Sequence, residues 1–566
     1  MRVFKYVRDI LSLLKRGTFI DYIFFYVRSI SKVKQLSKID LSNISKYFKE
    51  NSNFIKSDRK VLLEFFSDYP VMVHNICNFK LLLENLGATN SIALLQYNSD
   101  IKMKYIANIY GIDSFVSVYT FKNILYRYKA LIFLFNNCKA FNYNKTCGWN
   151  IICEGIEIGD LIYDQFLRFT NLPTYRKMDL RFLLYIYNAV TLFYRYKDIL
   201  TESRITDVVL SHNVYADYGI FFRVAYLVDP NIKFYDGETN KNGYITIQNA
   251  TKGFIKKPRC FNQEIMDMVF SGISEKELQK EYEDTILLRV NGKNHKNFDN
   301  VNVYLNTEIN SIGELKARYA IHKKGKNFFI FSHAFVDAVK YFDTLYSDFY
   351  TWLYETLLVL SKKTLEHNFY IKPHPSEYLY KCDITVKSVV DEINAKYGAK
   401  FIYLDKKVDN KVVFEYADAC LTCTGTIGVE APCFGVPVFT TSNFLETTKT
   451  TINSLTIDEY KKNLENIENV KRLSDDVVER ARLYFIFFDK YSMIDLENPI
   501  EDVYKYSYKQ YKLINNCIMN SPKIKDQRLF KAFKHSMKNN YLYVYKVYNI
   551  NENYFKRANC TDETIY

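Results

Sequence analysis

The sequence predicts an α/β protein of two doubly wound, parallel-sheet domains, and three observations carry that expectation. Short apolar runs alternate with helical stretches twice along the chain, the chain has 566 residues, and hydrophobic residues make up 48% of it with aromatics at 17%. Strands alternating with helices imply a parallel sheet covered on both faces. A chain of this length exceeds one ordinary core, so two large domains with helical appendages are expected. The apolar content excludes a disordered chain.

From Met1 to Lys38 nine Lys or Arg stand against Asp9 and Asp21 in a stretch that reads as helical. Phe4 to Ile30 mixes aliphatic and aromatic residues with Lys5, Arg8, Lys15, Arg16 and Arg28. That composition fits either a helix lying on an anionic bilayer or a helical pair packed on the first domain. Residues 1–87 are expected to form this basic helical leader. The first domain is placed at 88–320. In it Ser91–Gln96, Phe115–Tyr119, Trp149–Cys153, Asp207–Leu210 and Ile232–Tyr235 read as strands, with helices at Met103–Tyr110, Asp160–Phe169 and Tyr218–Leu227. The polar run Asn291–Asn300 reads as an exposed loop before the boundary.

A second alternation fills 321–490. Strands are expected at Asn327–Phe331, Asn368–Ile371, Lys400–Leu404, Ala419–Thr422 and Val436–Thr440, and helices at Tyr346–Thr364, Val386–Tyr397, Val412–Tyr416 and Ile427–Phe434. The Tyr- and Lys-rich remainder, 491–566, reads as a helical extension. No apolar run reaches the length of a spanning helix; the best, Phe182–Tyr194, has thirteen residues and includes Asn188 and Thr191.

The net charge of +14 favours acidic partners. Nucleic acid is not expected among them, because the basic residues are spread and no binding motif is present. Eleven cysteines without a framework, and no signal-peptide pattern, point to a reducing cytoplasm. Cys420 and Cys423 have the spacing of a metal pair but no second pair completes it, so they read as strand-end core.

Ligands of an open parallel sheet bind beyond the carboxyl ends of its strands, so the residues there are the candidates. Lys372-Pro373-His374-Pro375 follows one strand: two prolines hold an imidazole beside a fixed cation, which suits a phosphate leaving group. Thr424-Gly425-Thr426 opens the helix carrying Glu430, where backbone N–H groups would bind phosphate and the carboxylate would take ribose hydroxyls. The opposing reading is a plain N-cap at Thr426 with a solvated Glu430. Ser211 to Asp217, with His212 and Tyr215, follows a strand of the first domain. His333 and Asp337 follow the first strand of the second, where Asp337 pairing with Lys340 is the structural alternative.

Taken together these segments resemble bacterial surface-polysaccharide transferases of the GT-B fold, the loose group of capsule Kdo transferases, polysialyltransferases and CDP-glycerol glycerophosphotransferases. His374-Pro375 looks like their HP motif, and Thr424-Gly425-Thr426 stands in the place of their paired-serine motif, from which it departs in sequence. Further similarity lies in Glu154 to Asp160, which adds Glu154 and Asp160 as cleft candidates. The resemblance spans about Ser91 to Leu455. It implies two Rossmann-like domains facing a cleft, a CMP- or CDP-linked donor held by the second domain, and a lipid-linked or polymeric glycan acceptor presented by the first. Peripheral contact with the inner face of the cytoplasmic membrane through the basic N-terminus is also expected.

Transfer needs a base for the acceptor hydroxyl, and Asp217, Asp236 and His212 are the candidates. A retaining reaction would instead make one of the carboxylates a nucleophile. No cofactor or metal is required, since Lys372, His374 and a helix terminus would neutralise the phosphate. A nucleotide-sugar epimerase of the same fold and a non-catalytic polysaccharide assembly subunit are the rival readings.

Overall fold

The computed structural model describes residues 2–237, 245–249, 266, 270, 274–290, 307–487, 509–538 and 543–544, apart from 17, 53–57, 89, 121–122, 147, 320–324, 339–343 and 443–447. The expected loop Asn291–Asn300 and Lys340 lie outside the described residues. Three helices come first, α1 (Arg2–Lys15), α2 (Phe19–Leu36) and α3 (Ser42–Asn51). They lead into β1 (Lys60–Phe65), α4 (Pro70–Asn85), β2 (Asn90–Tyr97), α5 (Ile101–Ile109), β3 (Ser114–Tyr119) and α6 (Asn123–Asn137). Two small hairpins, β4 (Tyr143–Asn144) with β5 (Gly148–Trp149) and β6 (Ile152–Cys153) with β7 (Ile156–Glu157), precede α7 (Gly159–Thr170) and α8 (Leu180–Ser203). Then come β8 (Asp207–Leu210), α9 (Ile220–Val228), β9 (Lys233–Gly237) and β10 (Ile245–Asn249).

The second domain contributes β11 (Asn327–Phe331), β12 (Asn368–Lys372), β13 (Ile402–Tyr403), β14 (Ala419–Thr422), β15 (Val438–Thr440) and β16 (Ile452–Asn453); β17 (Tyr543–Val544) closes the described chain. The first sheet has the order β17-β10-β9-β8-β1-β2-β3 and the second β13-β12-β11-β14-β15-β16. Strands β9-β8-β1-β2-β3 are mutually parallel, as are all six of the second sheet, whereas β10 and β17 add on antiparallel. Each sheet therefore runs outward from its first strand in one direction and then resumes on that strand's other side. The order reverses between β1 and β8, and again between β11 and β14. The expected α/β class with two Rossmann-like, doubly wound domains is the observed one.

Each sheet is packed on both faces, as a parallel sheet requires. One face of the first sheet lies on α8 and α9 through Leu62, Leu94, Val208 and Phe234, and the other on α3, α4 and α5 through Val61, Leu63, Leu95 and Val209. The second sheet divides its core likewise around Phe329 and Tyr370 on one face and Phe328 and Phe369 on the other. Cys420 and Cys423 are buried in that sheet.

Three local expectations change. The stretch read as helical up to residue 87 contains β1, the strand beside the switch point of the first sheet; its sequence KVLLEF carries Glu64 inside the apolar run, which hides the strand signal. Trp149–Cys153 is not a sheet strand but the meeting of two hairpins, because turns centred on Glu154-Gly155 and on residues before Gly148 break it up. The helix expected at Ile427–Phe434 is α-helical only over Ile427–Glu430 and continues as a 3-10 turn over Ala431–Phe434. Pro432 has no N–H to donate to an α-turn, and Gly435 ends the segment at positive φ.

The leader packs on the first domain. Leu13 of α1 is buried, Phe25 of α2 stacks on Tyr97 at 4.2 Å, and α1 lies along α8. The described part of the C-terminal extension returns to the same domain: Asn515 receives the Ile44 N–H at 3.1 Å, and Tyr511, Ile514 and Phe533 join the core of α3 and α4.

Asp348 ties the two domains together. Fully buried, it caps the helix Phe349–Leu360 by accepting the Thr351 N–H at 2.6 Å. Its other oxygen accepts the hydroxyls of Tyr163 at 2.8 Å and Thr174 at 2.9 Å from the first domain. Asp348→Asn keeps the shape and removes the charge from these bonds, so a loss of about 1–3 kcal/mol is expected, read as a lower urea midpoint.

Candidate active site

The second domain's candidate site is built where its sheet reverses its order. His333, just beyond β11, bridges to β14: its Nε2 lies 3.2 Å from Thr422 Oγ1 and accepts the Thr424 backbone N–H at 3.3 Å. Accepting there places the ring proton on Nδ1. The ring stacks on Phe349 at 4.2 Å, and burial, helped by His374, lowers its pKa to about 3, so it is neutral. Thr422 Oγ1 also accepts the Gly425 N–H at 3.0 Å. A Cβ on Gly425 would lie 2.8 Å from that hydroxyl oxygen, so the turn requires glycine.

These bonds revise the expected phosphate cradle. The N–H groups of Thr424 and Gly425 are used inside the turn, and the Thr424 hydroxyl donates to Ser442 at 3.0 Å. A four-residue helix also has little macrodipole to offer. The N–H groups of Thr426 and Ile427 have no partner among the described residues, and Thr426 is exposed.

His374 is held as its two flanking prolines lead one to expect. Its Nδ1 accepts the Ser376 backbone N–H at 3.2 Å and lies 2.7 Å from Ser376 Oγ. The neutral ring then carries its proton on Nε2 and is a fixed donor. It lies 6.4 Å from the His333 ring with 22° between the planes, so the motif after β12 and the turn after β14 share one site.

Lys372 and Glu430 depart from their expected roles. Lys372 Nζ donates to the Val408 carbonyl at 2.7 Å and to Asn410 Oδ1, and burial lowers its pKa to about 8. It therefore pins the chain after β13 rather than standing beside His374 as an open cation. Glu430 is buried and Arg289 grips its Oε1 at 2.8 and 3.0 Å. It is neither solvated nor an uncommitted acceptor for ribose, because a buried carboxylate needs a paired cation.

The opposing side lies at the reversal of the first sheet. Glu64, near the carboxyl end of β1, accepts the Phe66 N–H at 2.7 Å and the Ser211 N–H at 3.2 Å. The Ser211 hydroxyl lies 2.8 Å from His212 Nδ1. In the tautomer whose Nδ1–H donates to the Ser211 oxygen, Nε2 is the acceptor nitrogen. The His212 ring sits 3.9 Å from that of Tyr218, and burial lowers its pKa to about 4.

The chain leaves this point through Tyr215, a non-glycine residue at φ 61°, and a π-turn over Tyr215–Gly219. Left-handed tyrosines and π-turns both cost energy and concentrate at functional sites. A Cβ on Gly219 would lie 2.5 Å from Leu161 Cδ2, so glycine lets the turn seat against α7. Tyr215 feels Asp337 and Tyr380 of the second domain together with Arg168 and Asp164 of α7, and Arg168 lies 4.3 Å over the Tyr380 ring. The carboxyl ends of the two sheets thus meet.

The remaining candidates separate. Both oxygens of Asp217 accept from Arg16 at 2.7 Å, so the carboxylate anchors the leader instead of standing open as a base. Asp160 is buried against Arg223 at 2.5 and 2.7 Å. Glu154 sits at a hairpin turn on the surface, 2.6 Å from Lys197. Asp337 accepts the Ala338 N–H at 3.0 Å beside the junction. Asp236 lies in β9 opposite Leu210 and Thr246, and its side chain lies outside the described residues. Glu64, Arg168, Arg289 and Tyr380 went unmarked in the sequence; a lone acid at the end of an apolar run was the one legible signal, for Glu64.

No protein-family model matches the chain, and no curated protein matches it. Among solved structures it is similar to a KpsC β-Kdo 2,4 transferase from Thermosulfurimonas dismutans, at 12% identity over 49% of this chain and 79% of that one, with a TM-score of 0.29. It is also similar to a UDP-GlcNAc 2-epimerase from Neisseria meningitidis bound to UDP-GlcNAc, at 11% identity over 82% and 100% of the two chains, with a TM-score of 0.23. A third is the wall teichoic acid polymerase TagF, at 8% identity over 90% and 99%, with a TM-score of 0.20. Likeness at this level leaves the function to the chemistry of the site.

Proposed function

We propose that this chain is a two-domain glycosyltransferase that moves a sugar, or an alditol phosphate, from a CMP- or CDP-linked donor onto a capsule or surface polysaccharide. One observation carries the reading: His374, with its proton directed to Nε2, stands 6.4 Å from the His333-braced turn at the reversal point of a parallel sheet. Fixed neutral donors there, with the N–H groups of Thr426 and Ile427, suit the phosphate of a nucleotide leaving group. The preference for CMP or CDP rests on the resemblance of His374-Pro375 and Thr424-Gly425-Thr426 to the motifs of the transferase group. On the acceptor side His212, backed by Ser211 and Glu64, is the base. Its Nε2 takes the proton of the acceptor hydroxyl as the acceptor oxygen attacks the donor and the bond to the nucleotide phosphate breaks.

A thermal-shift panel of CMP, CDP, UDP and GDP tests the donor. A cytidine nucleotide at about 100 times its Kd stabilises the protein by about 2.7 kcal/mol, and the shift collapses in His374→Ala. A response selective for UDP or GDP would remove the cytidine assignment, and no response to any nucleotide would remove the enzyme reading.

A further inference from the structure

The first domain exposes two apolar stripes on neighbouring helices. On α6 they are Ile124, Tyr128, Leu131 and Phe135, spaced at helical period, with Ile124 77% and Phe135 87% exposed. On α2 they are Ile20, Ile23, Phe24 and Val27, all exposed, and Leu11 and Leu14 of α1 extend them. The helices are joined: α1 and α6 both pack on α8, and the Arg127 guanidinium donates to the Arg16 carbonyl. Apart from Phe24, which meets Phe25 edge-on and carries Lys15 4.5 Å over its ring, these side chains stand exposed, and an apolar area of this extent marks an interaction surface.

Charge chooses the occupant. Arg8, Arg28 and Lys129 are exposed around the stripes, and α6 contains no acidic residue. The only acids of α1 and α2, Asp9 and Asp21, are largely buried: Asp9 lies 3.7 Å from Arg181 and 3.9 Å from Arg8, and Asp21 accepts the Tyr97 hydroxyl and lies 4.0 Å from Lys15. An apolar stripe rimmed by outward cations, with its acids neutralised within, complements a lipid surface bearing negative headgroups rather than another protein face of mixed charge. We propose that the outer faces of α1, α2 and α6 together form a docking surface for an anionic bilayer, the apolar residues entering the headgroup boundary and the Arg and Lys side chains meeting lipid phosphates. This extends the surface well beyond the basic N-terminal segment and is independent of the nucleotide reading.

Flotation of the full chain with vesicles is the test, using phosphatidylcholine alone and phosphatidylcholine mixed with phosphatidylglycerol. The wild type is expected to float with the mixed vesicles, less with phosphatidylcholine alone, and less again as salt rises. The double variant Ile124→Gln/Phe135→Gln, which changes exposed side chains only, is expected to lower the partition at least about tenfold, with an unchanged circular dichroism spectrum. Lys129→Glu is expected to weaken binding to the mixed vesicles only. The proposal is overturned if the wild type stays unbound with both vesicles or if the double variant floats like the wild type. It is equally overturned if sedimentation shows a dimer that the double variant dissociates, since the face is then an interface between copies of the chain.

Discussion

His212→Ala is expected to lower turnover by about 10²–10⁴-fold, the range for loss of a positioned general base, while the nucleotide binding proposed for the other domain is expected to be retained. Burial holds the His212 pKa at about 4, so the ring is neutral and able to accept a proton at every pH above that value. The acid limb of kcat/KM is therefore expected near pH 4 rather than near the ordinary imidazole value. Glu64 touches the ring only through Ser211 and acts as a positioning residue. Glu64→Gln weakens the bond that holds the Ser211 N–H, so it is expected to lower kcat with the donor KM unchanged and the acid limb in place, because the charge that raises the His212 pKa is that of Asp217. Asp217→Asn separates Asp217 from His212 among the three acceptor-side candidates: with Arg16 on both carboxylate oxygens, its loss is expected to cost stability more than turnover. Full activity in His212→Ala would return the base to Asp217 or Asp236.

The same depression has a stability consequence. His74 and His212 are held at about 4 and His333 at about 3 by burial, all below the ordinary value. Above pH 6.5 all three are neutral folded and unfolded and contribute no pH dependence. Between 6.5 and about 4 the unfolded chain binds protons that the folded chain refuses, so stability falls as pH falls through that window.

Asp160→Ala is expected to cost about 3–5 kcal/mol, the usual penalty for stripping one partner from a buried ion pair. Asp160 and Arg223 are 1% and 3% exposed, and Arg223 also donates to the Glu157 carbonyl at 2.6 Å, so the guanidinium has no solvent to retreat into. The pair joins α7 to α9, the two helices that hold the π-turn after β8. Chemical unfolding gives the loss directly. Replacing both residues with apolar ones, Asp160→Leu with Arg223→Met, is expected to recover most of it, because two buried charges then need no desolvation. A single variant as stable as the wild type would show that water reaches the pair.

Much of this protein was legible along the chain. The strands β2, β3, β8 and β11 to β15 announce themselves because a strand buried on both faces reads as an unbroken apolar run. The fixed setting of the His374 ring was legible in part: the flanking prolines mark it, while the bonds on its Nδ1 come from Ser376 two residues on. β1 was not, because Glu64 interrupts its apolar run and earns its burial from Ser211, 147 positions away. Lys372, Asp160, Asp217 and Glu430 were read as functional for the opposite reason. A charged residue next to a strand end looks alike whether it meets ligand or a buried protein partner, and the partners, the Asn410 amide and the guanidinium groups of Arg223, Arg16 and Arg289, come from separate elements.

The sequence by itself therefore determined the α/β class, the alternation that makes two parallel sheets, and the rigid histidine loop, all consequences of hydrophobic period and of backbone restriction within a few residues. Only the tertiary structure decided which strands flank each reversal point, which charges are spent on one another, and that Glu64, Ser211 and His212 form one chain of hydrogen bonds. Ion pairs and hydrogen bonds between distant segments depend on distances set by the packing of whole sheets, and no local pattern records them.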